Sequence, residues 1–174
     1  MSVIINGSAG VTTNSGAVYD SLQRGTAITL TNQTAPEFTS IPSWVRRITL
    51  MFNGVSTNGT SLPQIQIGAG SYTTSGYLGS ASSVLSTVGS ANYSSGAILI
   101  NQAVATQIHY GAVRITNISG NNWVFEGVLG RSDTAGTSLT GGVLALSGTL
   151  DRVRLTTVNG TDQFDAGTIN IIYE

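Results

Sequence analysis

The feature of this chain that most restricts its fold is the recurrence of short runs in which apolar and polar residues alternate. In the longest run, residues 44–52, the side chains of Ile48, Leu50 and Phe52 alternate with those of Thr49 and Met51. A period of two is typical of a strand with one buried and one exposed face. Such runs return at intervals of ~8–12 residues or slightly more, which favours a sandwich or barrel over long helices. The pattern therefore predicts an all-β chain.

The predicted strands share this alternation and end at turn-forming residues. They cover residues 27–31, 44–52, 64–67, 97–100, 108–118, 123–129, 142–147, 152–158 and 168–173.

Glycine and asparagine mark the predicted connections. Turns are expected at Asn53-Gly54, Asn58-Gly59, Asn159-Gly160 and residues 119–122, and a long loop over residues 68–96. Sequential antiparallel strands in this number favour a jelly-roll-like antiparallel β-sandwich.

Residues 1–25 show no periodic apolar face and are rich in glycine and hydroxyl side chains. They predict an extended N-terminal arm, and residues 26–174 the β-sandwich domain. The first ten residues lack the basic and long apolar regions of a signal peptide, so we expect a product not exported by a cleaved signal. No window approaches the ~18 apolar residues of a membrane-spanning helix, so no membrane insertion is expected.

Charge and residue types exclude several function classes. Only 9% of residues are charged, all seven cations are arginine, and the net charge is -1. This balance argues against nucleic acid or an anionic membrane as a partner, because both are bound chiefly through clustered cations. The absence of cysteine excludes thiol nucleophiles, disulfides and cysteine-ligated metals, and no cofactor is expected.

His109 is the single histidine, and it lies between Ile108 and Tyr110 within a predicted strand. A Ser-His-Asp triad would need a partner acid and a nucleophile, and no G-x-S-x-G motif is present. We expect His109 to be a structural residue, and we predict no catalytic residue.

Asp162 and Asp165 are the closest carboxylates in the sequence. Turn chemistry is the favoured interpretation, because Asp side chains cap the backbone of tight turns. Two alternatives are a calcium site and, less favoured, a glycosidase acid–base pair.

Two further groups of residues suggest contacts with other molecules. Tyr72, Tyr77 and Tyr93 lie among Gly, Ser and Asn, a composition found in recognition loops and also in ordinary surface loops. They are candidates for contact with a receptor or glycan. Arg46 and Arg47 point to opposite faces of a strand, so one of them is expected at a subunit interface or against an acid such as Glu37 or Glu126.

Three segments carry a resemblance to a known class of proteins. Residues 38–61 (FTSIPSWVRRITLMFNGVSTNGTS) and 155–174 (LTTVNGTDQFDAGTINIIYE) resemble segments of virion proteins of tailed bacteriophages and prophages. Residues 3–16 (VIINGSAGVTTNSG) are similar to pieces of phage tail-fibre and appendage proteins. Together they cover about a third of the chain.

The resemblance implies a non-enzymatic structural protein of a virion, made in the bacterial host cytoplasm. Such proteins are usually homotrimers whose N-terminal arm attaches to other virion proteins, while the β-sandwich faces outward and can contact host-surface glycans. The short chain favours a stubby tail or head fibre or a capsid decoration protein. We expect a buried trimer interface that contains Trp44 or Trp123 and one of Arg46 or Arg47.

A second hypothesis is a carbohydrate-binding module on the same fold, with calcium near Asp162 and Asp165. A glycan depolymerase is a distant third, because paired acids are scarce.

Overall fold

The structure, a computed structural model, describes residues 22–85, 88–101 and 103–174 with their side chains, and earlier in the chain only the backbone of three short strands. No helix occurs in these parts of the chain. The strands are β1 (Val3–Asn6), β2 (Gly10–Thr13), β3 (Val18–Tyr19), β4 (Gln23–Arg24), β5 (Ile28–Thr29), β6 (Glu37–Phe38), β7 (Arg47–Thr57), β8 (Pro63–Ala69), β9 (Ser71–Tyr72), β10 (Leu78–Val84), β11 (Val88–Asn92), β12 (Ala97–Ile98), β13 (His109–Ser119), β14 (Asn122–Arg131), β15 (Thr137–Ala145), β16 (Arg152–Thr157) and β17 (Phe164–Tyr173).

Two antiparallel sheets pack face to face, so the predicted β-sandwich is confirmed. The large sheet has the strand order β11-β10-β15-β14-β13-β7-β17-β4, with β5 also paired to β17. The small sheet has the order β12-β8-β16-β6, with β9 paired to β8. The chain passes from one sheet to the other on both sides of β6, of β12 and of β16, and also between β7 and β8 and between β9 and β10. These crossings tie the two sheets into one unit.

The core lies between the sheets, and the alternation seen in the sequence supplies it. Eight inward residues, four from each sheet, are at most 1% exposed. Burial of one such side chain stabilises the fold by about 1.5–3 kcal/mol. The residues are Ile48, Leu50, Val113 and Ile115 from the large sheet and Ile65, Ile67, Val153 and Leu155 from the small sheet.

The loop expected over residues 68–96 is wrong, because this segment contains β9, β10 and β11. Strand β10 pairs with β15 from Leu78 to Val84, and β11 forms the edge of the large sheet beside it. Residues 78–92 are rich in serine, glycine and alanine and place no large apolar side chain inward, so the apolar alternation typical of a strand is missing from the sequence. Pairing with β15 supplies the order that the local sequence does not predict.

The turn expected at Asn53-Gly54 is also wrong, since β7 continues through both residues to Thr57. Gly54 has φ of 69° and lies where the pairing register of β7 and β13 shifts. On the neighbouring strand, Gly167 has φ of 95°, and a Cβ there would lie 2.4 Å from the Gly54 carbonyl oxygen. The asparagine–glycine signal therefore marks a β-bulge, because both features need a residue with positive φ.

The predicted N-terminal arm lies largely outside the residues that the structure describes. In the backbone of that region, β1, β2 and β3 pair antiparallel in a separate sheet. The last residues of the predicted arm belong to the sandwich, where β4 pairs with Ile172 and Tyr173 and the Gly25 N–H donates to the Ile171 carbonyl. The boundary expected between residues 25 and 26 stays a prediction.

Candidate functional site

The outer face of the large sheet carries large apolar side chains in register on three adjacent strands. Val128 lies opposite Leu139, and Val124 lies opposite Val143, which is also paired with Leu78. Leu78, Val128 and Leu139 are 68%, 51% and 46% exposed. We call these five residues the apolar patch. Val124 and Val143 are half-buried, and Glu126 and Gly141 separate them along the strands from Val128 and Leu139. Exposed apolar side chains grouped on one face in this way are typical of an interaction surface.

One cation and one anion stand beside the apolar patch. Arg114 on β13 lies directly opposite Glu126 on β14, and the Arg114 Nε is 3.2 Å from the Glu126 Oε1. Both side chains are 57% exposed. Arg114 and Glu126 line a shallow groove of about 490 Å³ together with Val128 and Leu139. This part of the surface therefore combines apolar side chains with one charge of each sign and is grooved.

The outer face of the small sheet is built from polar groups instead. The Tyr72 hydroxyl donates to Glu37 Oε2 at 2.8 Å, and the Arg154 guanidinium lies 4.2 Å from the centre of the Tyr72 ring. Arg152 lies 5.8 Å from the same ring and is paired with Asp151. Burial and the neighbouring Glu37 carboxylate raise the pKa of Tyr72 above its ordinary range.

This polar face is anchored to two buried glutamines on β8. Gln66 accepts a hydrogen bond from Arg154 Nε and donates to the Ser95 carbonyl, both at 2.7 Å. Gln64 donates to Ser95 Oγ at 2.9 Å. Both glutamines are at most 3% exposed because the segment around Ser95 covers them. These polar groups on the outer face of the small sheet therefore form hydrogen bonds and ion pairs within the chain.

Of the three tyrosines predicted to contact a receptor, Tyr77 and Tyr93 lie in the core. They are 4% and 8% exposed, and both rings pack against Phe125. Burial raises the pKa of each tyrosine to about 12. Neither side chain reaches the surface, which corrects the prediction for these two residues.

Local geometry explains why both tyrosines turn inward. The Tyr77 hydroxyl accepts from the Ile67 N–H at 2.9 Å and donates to the Thr73 carbonyl at 3.1 Å. The Tyr93 ring lies over Gly142, where a Cβ would come within 2.3 Å of it. An aromatic ring fills the space that a glycine leaves in a strand, and hydrogen bonds to the tyrosine hydroxyl make burial of the side chain favourable.

The residues predicted at a trimer interface are divided by the structure. Trp123 is 3% exposed and belongs to the core of the single chain, which corrects the prediction for it. Trp44 is 42% exposed and packs on Tyr173 with 6.0 Å between ring centres. Its place at an interface stays a prediction.

Arg46 and Arg47 differ in their partners. Arg47 forms an ion pair with Glu174, so the acid beside it is neither Glu37 nor Glu126. Arg46 donates from Nη1 to the carbonyls of Ser43 and Val45 at 3.0 and 2.9 Å. A role of either arginine at an interface also stays a prediction.

Asp162 and Asp165 take part in separate hydrogen bonds. Asp162 accepts from the Ser61 N–H at 2.8 Å and from the Asn159 amide at 2.7 Å, and these donors lower its pKa. Asp165 accepts from Ser56 Oγ at 2.6 Å. Among the described residues, no group of three or more His, Asp or Glu side chains is placed to hold a metal ion. The bonds of Asp162 are those of a structured turn.

His109 is buried at one end of the sandwich, 6% exposed. Its Nδ1 and the Oε1 of nearby Gln107 have no hydrogen-bond partner within the chain. Both residues line a small internal cavity of about 10 Å³, enough for about one water molecule. Desolvation and the neighbouring Arg131 lower the pKa of His109 to about 4.

The apolar patch is the feature that sequence reasoning missed. A signal was present, because residues 123–129 place Val124 and Val128 on the face opposite to Trp123 and Phe125. A strand that is apolar on both faces indicates a surface that meets something else. The Asn-Gly and Gly-Ser dipeptides predict loops instead.

Among the described residues, no helix has the length and apolar character needed to cross a membrane. Comparison of the chain with protein-family models, with curated proteins and with solved structures found no match.

Proposed function

We propose that this chain is a non-enzymatic structural protein of a bacteriophage particle, a short trimeric tail or head fibre or a capsid decoration protein. The resemblance of residues 38–61 and 155–174 to virion proteins is one support. The observation that carries the proposal is the exposed apolar patch on a β-sandwich, because such a surface acts by contact with another protein. Attachment to other virion proteins through the N-terminal arm and contact with the host surface belong to the same proposal.

The chemistry of the ionisable groups fits a structural role. Each carboxylate that the structure describes accepts a hydrogen bond or forms an ion pair within the chain. These residues are Glu37, Glu126, Asp133, Asp151, Asp162, Asp165 and Glu174. The only imidazole is buried and held neutral at ordinary pH by its lowered pKa. The carboxylates are therefore held by contacts within the chain.

The test is electron cryo-microscopy of purified particles from the phage or prophage that encodes the chain. Density for the sandwich on a tail or head appendage, or spread over the capsid lattice, is the expected result. The first position makes host contact the next question, and the second indicates stabilisation of the shell. Particles that lack the chain would contradict the proposal.

A carbohydrate-binding module is the second candidate, favoured by the group of Tyr72, Glu37, Arg152 and Arg154 on the small sheet. An aromatic ring beside fixed polar groups is a common way to hold a sugar ring. Binding of a glycan that is lost in Tyr72→Ala, by a chain absent from particles, would support this function over the first.

A further inference from the structure

The outer face of the large sheet is left uncovered by the described residues, and its occupant can be inferred from its charges and size. We propose that this face is covered by a second copy of the same chain, with Arg114 of one copy facing Glu126 of the next. The inference rests on the proposed function in one respect, that copies of the chain associate.

Charge is the first argument for a second copy. The ionisable groups beside the apolar patch are Arg114 and Glu126 in direct register, and the same outer face carries the Arg47–Glu174 ion pair and, towards its edge, Arg24. A face whose charges of both signs nearly balance is complementary to itself, whereas a strongly charged partner would meet like charges. In a cyclic arrangement each copy offers its arginine to one neighbour and its glutamate to the other.

The present ion pair does not oppose this exchange. Arg114 and Glu126 are both more than half exposed, and exposed ion pairs contribute little to stability. Replacing the pair within the chain by a pair between copies therefore costs little. The gain comes from the apolar side chains beside it, because their burial is the main favourable term in association.

Size is the second argument. Seven of the nine strands of the large sheet lie side by side in the order β11-β10-β15-β14-β13-β7-β17, and at about 4.8 Å between strands they span about 30 Å. The stretch from Val124 to Gly130 adds about 20 Å along the strands, so the face projects roughly 600 Å² before side-chain relief is counted. A stable interface buries about 800 Å² on each partner, which a face of this size approaches.

The shape of the face fits a close contact. The groove of about 490 Å³ lies beside Arg114 and Glu126 and is bordered by Val128 and Leu139. Leu78 projects from the same face and is 68% exposed. A copy can therefore place an apolar side chain against the groove.

The experiment measures the mass of the full chain in solution by light scattering over a range of concentrations. We expect the wild type to be oligomeric, and Val128→Glu to weaken association roughly tenfold or more, because it places charge in a buried contact. The matched control is Val158→Glu, which puts the same charge on an exposed valine away from the large sheet. It should behave as the wild type.

Charge reversal tests the proposed pairing directly. Arg114→Glu and Glu126→Arg should each weaken association, while the double variant R114E/E126R should restore it. Mixing the two single variants should produce mixed oligomers, because each supplies the sign that the other lacks. Circular dichroism of each variant shows that the fold is retained.

Two results would overturn the inference. One is a wild-type monomer at every concentration. The other is an oligomer that is lost in Trp44→Ala but is indifferent to Val128→Glu and to charge reversal, which would place the contact at the exposed tryptophan. Particle imaging decides the proposed function separately, since the chain can be present on particles and associate through another surface.

Discussion

The two outer faces of the sandwich solve the same problem in opposite ways. Strands β8 and β16 of the small sheet place Gln64, Gln66 and Arg154 outward, and the segment around Ser95 together with Tyr72 covers them. Strands β14 and β15 of the large sheet place valine and leucine outward, and no described segment covers them. One face is covered within the chain, while the described residues leave the other face open.

The difference teaches that alternation defines a strand without defining its role. Both sheets have an apolar inner face, so both are equally good parts of a core. What differs is the outward residue at every second position, and that residue decides whether the outer face is covered by the chain, exposed to water or in contact with a partner. The predictions below test whether buried polar groups stabilise the sandwich only where partners are supplied.

The largest effect is expected for His109, a buried polar residue on the inner side of the large sheet without a partner for Nδ1. The pKa of His109 is about 4 in the fold, below its ordinary value of 6.5. Between these pH values the unfolded chain binds more protons than the folded one, so the free energy of unfolding falls as pH falls. The loss approaches about 3 kcal/mol near pH 4.

Chemical denaturation at a series of pH values measures this loss. His109→Gln should flatten the curve between pH 6.5 and 4. Asp133, whose pKa is lowered to about 2, changes the stability only below this window, because its stabilisation is complete above the ordinary carboxyl pKa of 3.8. An unchanged slope in His109→Gln would contradict the assignment.

A smaller effect is expected for Gln66, a buried polar residue whose partners are supplied. Gln66→Ala leaves the Ser95 carbonyl and Arg154 Nε without their hydrogen bonds, and should lower the free energy of unfolding by about 1–3 kcal/mol. The matched change on the other outer face, Val128→Ala, should cost less than about 1 kcal/mol in the dissociated chain. Urea unfolding at low protein concentration measures both, and equal costs would break the comparison.

The smallest effect separates two tyrosine hydroxyls. Tyr77→Phe removes a partner from the buried Ile67 N–H and should cost about 1 kcal/mol. Tyr72→Phe removes a hydroxyl that lies partly in solvent, so its cost should stay below about 0.5 kcal/mol. Thermal unfolding of the two variants side by side gives the difference, and a larger cost for Tyr72→Phe would reverse our ranking of the two sites.

Much of the fold could be predicted from the residues, and much of the site could not. The alternation of Ile48, Leu50 and Phe52 is local and survives in the structure as an inward face. The inward positions of Tyr77 and Tyr93 depend instead on Phe125, far along the chain, and that of Tyr93 depends also on Gly142 of β15. No local pattern distinguishes a tyrosine of a loop from one that fills a gap in a sheet.

The fold class follows from the sequence, because a period of two and turn residues at short intervals favour an antiparallel sandwich. The small number of charged residues agrees with it. Only the tertiary structure decided which outward residues face each other. Val128 meets Leu139, and Arg114 meets Glu126, through the register of β13, β14 and β15. That register is set by long-range hydrogen bonds and by packing against the second sheet, because a shift of one residue would turn the core outward.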